Sequence, residues 1–429
     1  MGKLNLAHLA MDTKNSQEEA FSAAIEASRK VGLDLLKPSS RDLEAGGSLH
    51  EDALVVEPYA LGVYAPQDWD RLRTNREAGA TAVELTDLAE EQGMLGHLRD
   101  ATSRALYRMA WEAAGVNCIF QGAGEEGNNP QRLIKRLARY THLIDGMPDF
   151  LDRVRTVDDI DETKRQGRRS LALGLNGVPL PGAQVSIEEE LGYLRVFVQL
   201  GVRIMHLTYN RRNSIGDGCG ETSDAGLSAF GHDVVAEMNK LGIIVDLAHC
   251  GWKTCIDAAW ASTQPVVISH SAAWALHHHI RGKPDDVIRA VVETGGVIGV
   301  TNVPAFLGGA GNLVSLLDHI DYLVRKFGIN AVAIGTDKVC SIPSAVKPDP
   351  GVRLKRRAAW EGLWPSGFPS HDAAWNKPEQ LQSMVWTNWP LFTVGLVQRG
   401  YSEDEIRKII GGNILRVARA VWKFPAALV

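Results

Sequence analysis

The chain has no C-x-x-C pair, and its five cysteines, Cys118, Cys219, Cys250, Cys255 and Cys340, are odd in number and widely scattered. A disulfide framework and zinc-finger spacing are therefore excluded, and reduced thiols in a cytoplasm are expected. Basic charge is not in excess either, with 46 Lys+Arg against 51 Asp+Glu and a formal charge of −5. Neither nucleic acid nor an anionic membrane is expected as a partner. No window reaches the ~18 uninterrupted apolar residues of a membrane-spanning helix, and Met1 to Asp12 hold one lysine and no apolar leader core. The expectation is a cytoplasmic, unanchored protein. Tandem repeats and low-complexity tracts are missing too. What is present is an ordinary globular composition, 429 residues at 45% apolar and 23% charged, long enough for one large α/β barrel with additions.

Organisation follows from periodicity. Ser16-Gln17-Glu18-Glu19 opens a helical run through Ala27, with Glu three residues after Ser as in a capping box, and Lys37-Pro38-Ser39-Ser40 breaks it. Residues 1–50 therefore read as an N-terminal helical arm. From Leu54 onward, short apolar runs alternate with longer helical periods, the sequence form of repeated βα units. Strands are predicted at Ala53–Val56, Thr81–Leu85, Val116–Phe120, Ser170–Leu175, Val202–Thr208, Ile243–His249, Pro265–His270, Val297–Asn302 and Ala331–Thr336. Runs such as Ile243-Ile244-Val245 and Val266-Val267-Ile268 indicate strands covered on both faces and therefore parallel. Helices are predicted at Glu188–Leu200, Phe230–Leu241, Asp285–Thr294 and Asn312–Phe327. The economical assembly is an α/β fold, a (β/α)8 TIM-like barrel over residues 51–429. Ser341 to Lys377, rich in Pro, Trp, Gly and basic residues, reads as a long loop or lid, and helices around Leu391–Gln398, Ser402–Ile410 and Asn413–Val421 close the chain.

In a parallel barrel the chemistry sits where strands end. Ile243–Leu247 ends in Ala248-His249, Pro265–Ile268 in Ser269-His270-Ser271, and Ala331–Gly335 in Thr336-Asp337. Imidazoles and a carboxylate at separate strand ends can converge as ligands for zinc or another divalent ion, and an unliganded aspartate can take the proton of an attacking water. Spacing alone equally allows each to be a hydrogen-bonded core or loop residue. Asn210, Asn213, Asp217 and Cys219 either line the pocket or make a hydrogen-bonded turn. His277-His278-His279 reads as a solvated or gating segment. Trp360, Trp364, Trp375, Trp386 and Trp389 either wall a substrate pocket or pack the late loop. Cys250 reads as an inert buried thiol.

Several stretches carry a resemblance. They are Gly201-Val202-Arg203 through Leu207-Thr208, Gly226-Leu227-Ser228-Ala229-Phe230-Gly231, Val234 to Asn239, Asp246-Leu247-Ala248-His249, Ser269-His270-Ser271 and Arg281-Gly282-Lys283-Pro284-Asp285-Asp286. Weaker similarity continues through Ile334-Gly335-Thr336-Asp337 and Gly412 to Val417. Together they resemble the renal (membrane) dipeptidase family of the amidohydrolase superfamily. The resemblance implies that His249 and His270 match the two barrel histidines that bind one of that family's two zinc ions. It implies that Asp337 matches the aspartate that contacts the other metal and handles the proton of the attacking water. Arg281 matches an arginine at the substrate's carboxylate end, where a guanidinium fork pairs well.

The chain also departs from the family. Where the family has an His-x-Asp metal pair, this chain has Tyr59 and Leu61; the bridging Glu falls at Asn176, and the substrate-contacting His of the Leu-Thr-His motif is Tyr209. Glu57 lies near the lost pair, but it aligns with an acidic residue preceding it, and adjacent strand residues face opposite sides. The resemblance and the departures together imply a hydrolase for a small dipeptide-like or amide substrate with a free carboxylate, using about one zinc or other divalent ion per chain. Arg281, Tyr209, Asn176 and Tyr59 would contact substrate, with Asp337 catalytic. A homodimer is expected, with the arm available to wrap its interface. The other readings are a non-peptidase metabolic enzyme and a non-catalytic ligand-binding protein on the same barrel.

Overall fold

The computed structural model describes residues 6–124, 129–180, 186–344, 346–354, 361–369 and 372–422. Trp360, the first five residues of the arm and parts of the 341–377 loop lie outside the described residues.

Eight buried apolar runs become eight parallel strands: β1 Val56–Ala60, β2 Cys118–Gly122, β3 Arg169–Leu175, β4 Val202–His206, β5 Ile244–Asp246, β6 Val267–Ala273, β7 Val297–Val300 and β8 Val332–Ile334. They pair in chain order, β1 through β8, every ladder parallel. The β1 and β8 edges meet just past their ends. There Asp337 N–H donates to Tyr59 O at 3.2 Å and Leu61 N–H to Lys338 O at 2.9 Å, and the short strands Gly62–Tyr64 and Val339–Ser341 pair beyond them. The result is a nearly closed TIM-like barrel ringed by helices, the fold class expected from the apolar periodicity.

The barrel has a plugged end and an open one. Val56, Cys118, Ala172, Ile204, Ile244, Val267 and Val297, at or near the strand beginnings, form one cluster with Ile414, Leu415, Val417 and Val421 of the last helix, Asn413–Val421. Burying each such side chain stabilises by ~1.5–3 kcal/mol, so the helix is held there firmly. Chemistry is left to the opposite mouth, where the strands end. The N-terminal helices Leu6–Leu36 and Ser40–Asp52 pack on the same chain: His50 Nδ1 lies 2.8 Å from Thr393 Oγ1, and Arg29 donates to Ala113 O and Thr387 O. Among the described residues no helix is long and apolar enough to cross a membrane.

Three local expectations are corrected. Thr81–Leu85 is not a strand: Thr81 caps a helix, Ala82–Leu95, in a full capping box with Glu84, and this satisfied helix start outweighs the β-branched look of the segment. The first strand begins at Val56 rather than Ala53, because Ala53 still ends the preceding helix through its N–H bond to Leu49 O. Ser16 does not open a helix but lies within Leu6–Leu36, since no proline interrupts the run before Pro38.

Candidate metal centre

Three imidazoles converge at the open mouth. His206 is the last residue of β4, His270 lies within β6, and His249 follows β5 by three residues. One ligand nitrogen of each lies within 4.8 Å of the others, and all three residues are buried. Each Nδ1 is held by the protein: His206 by Leu175 O at 2.7 Å, His249 by Asn210 Oδ1 at 2.8 Å, and His270 by Ser269 Oγ at 2.8 Å. A carbonyl oxygen can only accept, so His206 carries a proton on Nδ1, which leaves Nε2 as the nitrogen that a metal could take. His249 Nε2 and His270 Nε2 lie 3.1 Å apart. Burial, reinforced by the Arg281 guanidinium, holds both His249 and His270 far below the usual imidazole range, so both are neutral.

Behind His206 stands Asp246. Its Oδ2 lies 3.0 Å from His206 Nε2, while its Oδ1 accepts from Ala248 N–H and Ser269 N–H at 3.1 and 3.0 Å. Burial pushes this carboxyl's pKa up, but the charge and hydrogen bond of His206 and the bonds from Ser269 outweigh it, leaving the pKa below its ordinary value. His206 Nε2 and Asp246 Oδ2, both fully buried, face each other at 3.0 Å and pair as ions when that ring is protonated. A divalent ion taken up at Nε2 would displace that proton. Three imidazoles with tethered Nδ1 atoms, beside the Asp246 carboxylate, fit a divalent ion of the zinc type.

Around this cluster lie the other residues singled out from the sequence. Arg281 is fully buried; it donates to Ala248 O at 2.7 Å, and to His270 O and His249 Nε2 at 3.3 Å each, and its Nε has no partner among the described residues. Tyr59 stacks on His270 with ring centroids 4.1 Å apart, and Tyr209 on His249 at 4.0 Å. The Tyr59 hydroxyl donates to Asn176 Oδ1 at 2.5 Å, so two positions where the family resemblance leads one to expect metal ligands bond each other instead. Asp337 sits at φ +58, a left-handed conformation that aspartate tolerates better than most residues. Burial lifts its carboxyl to about 6, against the pull of Arg281, Lys338 and His206. The same Asp337 charge, after burial, raises the hydroxyl pKa of both Tyr59 and Tyr209.

Glu57 points elsewhere. Its carboxylate accepts from Thr336 N–H and Trp386 Nε1–H at 2.8 Å each, from Trp389 Nε1–H at 3.0 Å, and from the Thr336 hydroxyl. It anchors the residue before Asp337 and does not join the imidazoles. Leu61 is half-buried and contributes its backbone to barrel closure. Asn210 and Cys219 belong to the site, since Asn210 Oδ1 accepts from His249 and from Cys219 Sγ. Asn213 and Asp217 instead make a hydrogen-bonded turn, through Leu207 O, Ile215 N–H and the Arg212 guanidinium. Cys250 is buried with its pKa raised, as an inert thiol should be. His206 and Asp246 were missed from spacing because each lies inside an apolar run, and a lone charge in a strand such as Ile-Val-Asp-Leu is the signal that could have found them.

The family model for membrane dipeptidase (peptidase family M19) matches residues 85–347. A dipeptidase tcpJ of Claviceps purpurea (strain 20.1) is 29% identical over 286 residues, 65% of this chain and 57% of its own length. A dipeptidase aclJ of Aspergillus oryzae (strain ATCC 42149 / RIB 40) is 30% identical over 283 residues, 64% of this chain and 57% of its own. The chain thus spans a little over half the length of these two relatives. Among solved structures, an amidohydrolase from Pseudomonas aeruginosa superposes with a TM-score of 0.63 at 27% identity, covering 88% of this chain and 99% of that one.

Proposed function

Because the chain belongs to the membrane dipeptidase family, a family of metal-dependent hydrolases, we propose that it hydrolyses the amide bond of a small dipeptide-like substrate with a free carboxylate. In this reading a single divalent ion, zinc by the chemistry of an all-imidazole donor set, is held by His206, His249 and His270. Such an ion supplies a Lewis acid that polarises the scissile carbonyl. The observation that carries the proposal is that every Nδ1 of the three rings is tied to the protein while one ligand nitrogen of each lies within 4.8 Å of the others.

The chain's own groups divide the remaining work. The buried Arg281 fork pairs with the substrate carboxylate, which satisfies its unpartnered Nε and draws the guanidinium away from His249 Nε2. A carboxylate oxygen of Asp337, with its pKa near 6, accepts the proton of the attacking water and returns it to the departing amine. Tyr59 and Tyr209 stack on the imidazoles, fix their planes and present hydroxyls that stay protonated toward the substrate. Asn176 accepts the Tyr59 proton and so orients that hydroxyl. No second ion is needed: Tyr59 and Asn176 fill two positions that the family resemblance gives to ligands. A cytoplasmic setting suits the five free cysteines. A homodimer is the expected assembly, read by light scattering as twice the chain mass.

Elemental analysis of the purified protein, with His270→Ala as control, tests the metal centre. About one ion per chain, lost in the variant, together with release of free amino acids from a dipeptide panel, is the expected result. No metal in either protein after zinc is supplied would sink the mechanism.

A further inference from the structure

Next to Arg281 stands a cluster of rings. The Arg281 guanidinium carbon lies 5.2 Å from the Phe306 ring centroid. Phe306 in turn lies 4.6 Å from the His279 ring and 6.2 Å from Trp364, with which it is stacked, and Phe368 meets His279 edge-on at 5.0 Å. These rings come from three separate stretches of chain, the turn before Arg281, the helix Pro304–Leu307 after β7, and residues 361–369 of the late loop. The late loop is fastened over the mouth rather than loose on the surface. Arg211, two residues after Tyr209, donates to Gly362 O at 2.8 Å, and Pro365 packs beside Gly220.

Two features mark this wall as more than packing. Its members carry no charge, since burial beside Arg281 drops His279 to about 3 and the Arg281 N–H donates to its Nδ1. And the Trp364 indole N–H, although buried, has no partner among the described residues. A buried donor left unpaired is costly, so an acceptor is missing from that place. Aromatic groups pair best offset or edge-on with centroids ~4.5–7 Å apart, the range in which these rings already stand.

We propose that Phe306, His279, Phe368 and Trp364 form a specificity subsite for a large aromatic side chain on the substrate residue that carries the free carboxylate, with a hydroxyl or other acceptor at its tip for the Trp364 N–H. This rests on the hydrolase reading above and names its substrate class. The carboxylate seated on Arg281 brings the side chain attached beside it against the Phe306 face, which adjoins that guanidinium. A residue with no side chain, or a small one, leaves the rings unmet.

The test is kcat/KM of the zinc-loaded full chain on glycyl dipeptides ending in Gly, Ala, Leu, Phe and Tyr, with Phe306→Ala, Phe306→Leu and Trp364→Phe beside it. Phe- and Tyr-ending substrates are expected to exceed Ala by at least ~10-fold, a ratio that falls toward one in Phe306→Ala and partly recovers in Phe306→Leu. Trp364→Phe is expected to erase any preference for Tyr over Phe. Calorimetric binding of the same peptides to metal-free protein separates the two readings. Aromatic preference in binding without turnover of any peptide would overturn the hydrolase reading and leave the subsite standing. Turnover with equal kcat/KM across the panel, or equal losses on all peptides in Phe306→Ala, would overturn the subsite.

Discussion

Glu57 makes the stability of the fold depend on pH in a direction opposite to most carboxylates. Its carboxyl is fully buried, and loss of hydration lifts its pKa from 4.5 to about 7 even though Thr336, Trp386 and Trp389 all donate to it. The folded chain therefore binds this proton more tightly than the unfolded chain does. The resulting stabilisation is complete below about pH 4.5 and is lost as pH rises through about 7. At 1.36 kcal/mol per pH unit, the gap between those values is worth ~3 kcal/mol. The perturbation is Glu57→Gln, which removes the titration while keeping the shape. Its fixed cost, from an amide nitrogen facing one pair of donors, is ~1–3 kcal/mol per unsatisfied donor but does not vary with pH. Urea unfolding of both proteins at intervals from pH 4.5 to 8 gives the difference in stability directly. Wild type is expected to lose ~3 kcal/mol relative to the variant across that range, most of it between pH 5 and 7. A difference that stays flat, or that grows with pH, would refute the argument that burial dominates the four donated hydrogen bonds.

Three other outcomes are expected. Asp246→Asn should weaken zinc binding by ~10–100-fold in a competitive chelator titration while leaving the three imidazoles in place, because its carboxylate, 3.0 Å from His206 Nε2, supplies negative charge beside the imidazole cluster. With Asp337 as proton acceptor, kcat/KM should fall ~10-fold per pH unit below about 6, where its carboxyl becomes protonated, and Asp337→Asn should lose activity at every pH. In Gly231→Ala the new methyl carbon would lie 2.2 Å from Ile215 O, so thermal or urea unfolding should show a loss of ~2 kcal/mol with metal binding unchanged.

Much of the architecture was legible because burial on both faces writes itself into a parallel strand as an unbroken apolar run. Eight of the nine predicted strands coincide with barrel strands for this reason, within a few residues. Thr81–Leu85 failed where one short segment carried two signals, β-branched residues and a Thr-x-x-Glu helix start, and only the second could satisfy its backbone donors. The site was legible in part. His249, His270 and Asp337 could be found as polar residues ending apolar runs, and the structure gathers them with Arg281, Tyr59, Tyr209 and Asn176. His206 sits two residues short of the point where its run was seen to end, and Asp246 lies in the middle of another, so both were read through as strand interior. The aromatic wall beside Arg281 joins residues up to 89 positions apart, from His279 to Phe368, and nothing in one-dimensional spacing brings such rings together.

The bond between Tyr59 and Asn176 bears on how the protein matures. It ties β1 to the end of β3 across the rim, with no ion required and no formal charge to balance. That half of the rim is therefore held by a neutral hydrogen bond where the family resemblance leads one to expect metal ligands. Under the proposed one-metal reading, the ion is then the concern of the β4 to β6 side alone, where His206, His249 and His270 lie.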